Sequence, residues 1–72
     1  MALTIQQRLS AALKANGFRE KRQKGQQARI FMRSKDSSCF VLANGDLLVG
    51  QKLESAVPCE AMQKRLLLGM SV

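Results

Sequence analysis

Thr4 and Gly17 bracket a segment with few options other than helix. Thr4 is an N-cap residue, and Gln7 stands three positions on, the spacing of a capping box. Ile5, Leu9, Ala12 and Leu13 recur at i, i+4, i+7 and i+8, an apolar stripe about 100° wide. Gly17 offers the left-handed residue that ends a helix, and Phe18 can then fold back onto Leu13. These signals predict a helix over residues 4–16.

Strand signals follow. Residues 18–24 have poor strand propensity, and position alone argues for a strand there. Lys24–Gly25–Gln26–Gln27 supplies a turn, and Ala28–Arg29–Ile30–Phe31–Met32–Arg33 then alternates. The alternation predicts a half-buried strand, with Ala28, Ile30 and Met32 on one face and Arg29, Phe31 and Arg33 on the other. The first set is the expected core face. Phe31, between two arginines, is either a contact for a phosphate backbone or a residue covered by the protein itself. A polar turn at residues 34–37 leads into Ser38–Cys39–Phe40–Val41–Leu42, nearly all apolar and read as a central strand.

Asn44–Gly45 is the strongest two-residue hairpin signal in the chain. It either returns residues 46–49 as a fourth strand or opens a loop into a helix near Gln51. Residues 55–68 read as a closing helix, with Pro58 in its first turn, Glu60 at its positive end and Gly69 as its stop. Residues 50–57 are alternatively a separate short helical turn ahead of 58–68, because Val57 precedes a proline. Cys59, Met62 and Leu66 form the inward stripe. Leu9, Leu13, Ile30, Met32, Val41, Met62 and Leu66 are expected to share one core. The 72 residues form one domain, 1–72, with no linker and no internal repeat.

Charge points to a partner. Residues 14–35 hold Lys14, Arg19, Lys21, Arg22, Lys24, Arg29, Arg33 and Lys35 against the single acid Glu20. Elsewhere Arg8, Lys52, Lys64 and Arg65 balance Asp36, Asp46, Glu54 and Glu60. The net charge of +7 therefore sits in roughly a third of the chain. Such a focused field favours a polyanion, nucleic acid first and an acidic protein surface second. Without tryptophan or tyrosine, extensive base stacking is not expected, so electrostatics would dominate affinity.

Other chemistries find little support. The chain has no histidine, and Cys39 and Cys59 form no C-x-x-C pair, so four-ligand zinc coordination is not expected. No cofactor motif is present. Both cysteines read as small buried hydrophobes, and the lack of a signal-peptide pattern implies a reducing cytoplasm. No apolar run reaches membrane-spanning length. The five acids are scattered, with no spacing that forces two carboxylates together.

The chain resembles the HicA family of small toxins, which have the α-β-β-β-α fold of double-stranded-RNA-binding domains. The resemblance rests on Leu13–Lys14–Ala15–Asn16–Gly17–Phe18, three variable residues, and then Arg22–Gln23–Lys24–Gly25. Ile30–Phe31 with Arg33 looks like the family's second strand and Cys39–Phe40–Val41–Leu42 like its third. Asp46–Leu47–Leu48–Val49–Gly50 is similar to the family's approach to its second helix, with Val49 in place of a proline. The resemblance covers roughly residues 5–57. It implies ribonuclease cleavage of messenger RNA, held off by a HicB antitoxin. The family's Gly-Ser-His step is here Gly25–Gln26–Gln27, so Gln27 stands at the histidine position and Gln26 at the serine. An amide does not exchange protons near neutral pH, whereas cleavage through a 2′-hydroxyl calls for a group that does.

The expected protein is α+β: α-β-β-β-(β)-α, an antiparallel three- or four-stranded sheet packed against helices. Its expected function is nucleic-acid binding without turnover, RNA favoured over DNA. The expected interface comprises Arg19, Lys21, Arg22, Lys24, Gln26, Gln27, Arg29, Phe31, Arg33 and Lys35. Two alternatives stand beside it. One is a small phage or mobile-element protein that docks its basic face on an acidic protein partner, antitoxin-like or other. The other is an active ribonuclease of the HicA type.

Overall fold

The structure is a computed structural model that describes residues 2–21, 25, 27–35 and 37–72. Helix α1 (Ile5–Ala15) is closed at both ends by the local chemistry that predicted it. The Thr4 side chain accepts from the Gln7 N–H at 3.1 Å, and the Thr4 N–H donates back to Gln7 Oε1 at 2.9 Å. Such a cap is worth about 1 kcal/mol. At the other end Gly17 takes φ 89°. There the Phe18 N–H donates to the Leu13 carbonyl at 3.0 Å and the Gly17 N–H to that of Lys14 at 3.1 Å, a Schellman motif. Phe18 is thereby turned into the core.

Five antiparallel strands follow: β1 (Arg19–Lys21), β2 (Arg29–Ser34), β3 (Ser37–Val41), β4 (Leu47–Gly50) and β5 (Val57–Pro58). They lie in the sheet in chain order, an uninterrupted meander. A short 3-10 turn (Leu53–Ser55) links β4 to β5, and helix α2 (Glu60–Leu67) closes the fold. The chain is therefore α+β, with the segment after Asn44–Gly45 as a strand. The fifth strand was not expected. Pro58 lies in β5 rather than in a helix, and residues 55–59 precede α2. A proline suits an edge strand, where its missing N–H costs no ladder bond, and the Cys59 N–H still reaches the Leu47 carbonyl at 3.0 Å.

The hairpin between β3 and β4 departs from the two-residue turn suggested by Asn44–Gly45. No described non-glycine residue has positive φ, which rules out the type I′ turn. Instead the Gly45 N–H closes onto the Leu42 carbonyl at 2.9 Å, Gly45 takes φ 95°, and the Leu42 N–H reaches the Asp46 carbonyl at 2.9 Å. This is a three-residue loop with glycine at the left-handed position. Asn44 Oδ1 accepts from the Asp46 N–H at 3.0 Å, which fixes the turn from its side chain.

Both helices cover one face of the sheet. Leu9, Leu13, Phe18, Phe31, Cys39, Val41, Leu47 and Leu66 form the core, with Ala12, Val49 and Met62 packed against it. Cross-strand register puts Phe31, Cys39 and Val49 in one row and Arg29, Val41 and Leu47 in the next, all on this face. The expected orientation of β2 is thus corrected. Ile30 and Met32 face away from the helices, and Phe31, wholly inaccessible to solvent, faces them. Arg29 and Arg33 share Phe31's face but end at its margins. A bulge between Met32 and Ser34 re-aims Arg33 there. Ile30 and Phe40 are nonetheless buried, and with Met32 and Leu48 they give the second face an apolar floor.

Candidate nucleic-acid interface

Strand β1 sorts its three side chains by sign. Arg19 and Lys21 lie opposite Met32 and Ile30 and project, exposed, from the face away from the helices. Glu20, opposite Phe31, turns to the helix side. There Arg29 grips it with two hydrogen bonds, Nε to Oε2 at 2.8 Å and Nη2 to Oε1 at 2.7 Å. Lys14 Nζ stands 3.4 Å from the same carboxylate. The bidentate Arg29 contact is the main cause of a Glu20 pKa pushed down to about 2; partial burial opposes it, and Lys14 adds to the lowering. Arg29, in turn, is held still more firmly protonated by Glu20.

The expected site residues therefore divide. Arg19, Lys21, Arg33 and Lys35, with the acid Glu20 among them, border one shallow cleft of about 510 Å³ at the β1–β2 end of the sheet. Arg33 is exposed, but it is not idle: its guanidinium carbon sits 4.8 Å from the centre of the Phe18 ring, and Nη1 donates to the Val72 carbonyl at 2.8 Å. Gln27 is exposed, and its carbonyl accepts from Gln6 Nε2 at 3.3 Å, so the segment just ahead of β2 is tied to α1. Arg29 is occupied by Glu20. Phe31 is withdrawn from the interface, since no ligand can reach a ring with no solvent exposure. Arg22, Lys24 and Gln26 lie outside the described residues, and with them two of the four residues of the Lys24–Gly25–Gln26–Gln27 turn.

The two free cysteines sit in different settings. Cys39 is buried in β3, and burial pushes its thiol pKa up, away from the nucleophilic thiolate. Cys59, expected to be buried, is only half covered because it precedes α2 rather than lying inside it. Strand β4 separates β3 from β5, and two strand spacings of about 4.8 Å put a disulfide out of reach. Among the described residues no group of three or more His, Cys, Asp or Glu side chains could hold a metal, and no helix is long and apolar enough to cross a membrane.

Sequence reasoning missed one set of residues near the basic edge. Gln51, Lys52, Leu53 and Glu54 follow β4 and curl beside Ile30, Met32 and Phe40, so Lys52 and Lys21 border one cleft. Lys52 looked neutralised because acids near it in the sequence matched its charge, yet it makes no ion pair among the described residues. The available signal was Gly50, where an added Cβ would lie 2.8 Å from Ala56 Cα; such a close approach marks a chain that doubles back.

No known protein family, curated protein or solved structure matches this chain.

Proposed function

We propose that this chain is a small nucleic-acid-binding module, RNA favoured over DNA, that holds its ligand electrostatically and does not cut it. One observation carries the reading: β1 turns its acid inward onto Arg29 and Lys14 and leaves Arg19 and Lys21 outward, neither in an ion pair among the described residues. Glu20 is satisfied by Arg29 and Lys14, so its carboxylate does not pair with Arg19 or Lys21. Cations spread along an edge suit a phosphate backbone, which takes charge at regular intervals. The resemblance to HicA toxins points to RNA and is compatible with the α+β order. Gln27 in place of a histidine leaves this exposed position ahead of β2 without a proton-transfer group, which favours binding over turnover.

Charge reversal tests the placement. Arg19→Glu combined with Lys21→Glu should lower affinity for a short RNA duplex at least about tenfold at low salt, whereas Lys64→Glu on α2 should change it less than about threefold. Equal losses from both would remove the reason for placing the ligand on β1.

A further inference from the structure

On the sheet face away from the helices, a concavity of about 300 Å³ opens over β2 and β3. Its floor is Ile30, Met32 and Phe40; Lys21 borders it from β1, and Lys52 and Leu53 border it from the segment after β4. We infer that this cleft takes one unpaired nucleotide of the bound nucleic acid, its base on the apolar floor and its flanking phosphates on Lys21 and Lys52. The inference rests on the binding function proposed above and adds what that function leaves open, the structural form of the ligand.

Three features favour that occupant. The cleft combines an apolar bottom with cations on two sides, and a nucleotide has the matching distribution, an apolar base face with charge at its backbone end. Its volume lies at the small end of the range for ligand pockets, near about 300 Å³, which suits a single nucleotide better than a stretch of duplex. Lys21 belongs both to this cleft and to the basic edge, so a strand lying along β1 passes the cleft without leaving the protein. Glu54 and Ser38 also line the cleft and offer acceptors to a base edge. The Phe40 ring is almost wholly buried, so it acts as floor and not as a stacking platform. A fully paired duplex would have to extrude a base to use this cleft, at the cost of pairing and stacking.

The test compares three RNA duplexes of one sequence by fluorescence anisotropy: fully paired, with one unpaired nucleotide, and with an abasic residue at that position. The unpaired nucleotide should improve affinity about tenfold over the paired duplex, and the abasic version should lose that gain. Lys52→Glu should abolish most of the gain, while the charge-matched Lys64→Glu should preserve it. Equal binding of all three duplexes, with salt sensitivity retained, would overturn the cleft and leave the basic edge as the binding site. Equal gains in the Lys52→Glu and Lys64→Glu proteins would also overturn it. No binding of any of the three would remove the function and the cleft together.

Discussion

Glu20 shows how one residue decides what the others are free to do. Its two bonds from Arg29 and its contact with Lys14 organise the β1–β2–α1 corner. Its carboxyl falls from an ordinary 4.5 to about 2, chiefly through Arg29. A folded pKa below the unfolded one stabilises the protein fully above about pH 4.5, and that contribution is lost as pH falls through about 2. Its side chain is 13% exposed, but those of Arg29 and Lys14 are 28% and 54% exposed, so solvent screens the cluster in part. Glu20→Gln should therefore cost roughly 2 kcal/mol at neutral pH. For a domain this small that is a fall of about 8–16 °C in Tm. The gap between the two proteins should narrow steadily as pH is lowered from about 5 to 3. A gap that stayed constant over that range would mean the carboxylate's charge is not the cause. None of this was legible in the sequence. Arg29 is the diagonal neighbour of Glu20 across two strands, and that contact exists only once the register is set. Arg19 and Lys21 were legible as candidates from their charge, while the face they take follows from the pairing of β1 with β2.

Among the elements, those with local hydrogen-bond signatures were read best. Helix α1 carries its capping box and its Schellman glycine within the sequence that forms it, so no distant residue was needed. Strand β2 was read with its faces exchanged. Alternation specifies two faces but not which one is inward, and Ala28, Ile30 and Met32 are the more apolar set by count. What decides it is Phe31, large enough to fill the space under α1, while Arg29 and Arg33 reach Glu20 and Phe18 at the margins of the same face. Strand β5 was missed because a proline near a helix start resembles a first-turn proline. The β3–β4 loop gives the sharpest test at this scale. A Cβ on Gly45 would lie 2.6 Å from Ile5 Cγ2, and the backbone there is left-handed. Gly45→Ala should destabilise by about 1–3 kcal/mol in urea unfolding, with an unchanged m-value. Ile5→Ala together with Gly45→Ala should recover part of the loss, because only the strained φ then remains; no recovery would show that the contact is not limiting.

For the molecule as a whole, the decisive feature is the separation of charge from core. Two helices and one sheet face enclose Leu9, Leu13, Phe31, Val41, Leu47 and Leu66, and the cations of β1 are exported to the other side. The charge count of the sequence anticipated the basic edge, but not that Arg29 would be internally neutralised or that Lys52 would join Lys21 at one cleft. Those outcomes depend on which strands become neighbours. The central claim, an electrostatic hold on a nucleic-acid backbone, is most directly tested by the salt dependence of affinity for RNA duplex. With about 4–6 phosphates contacted, log Kd plotted against log salt should rise with a slope of roughly 4–5. The Arg19→Glu, Lys21→Glu protein should have a slope lower by about 2. A slope near zero for the parent chain, or one that the double reversal leaves unchanged, would contradict the claim.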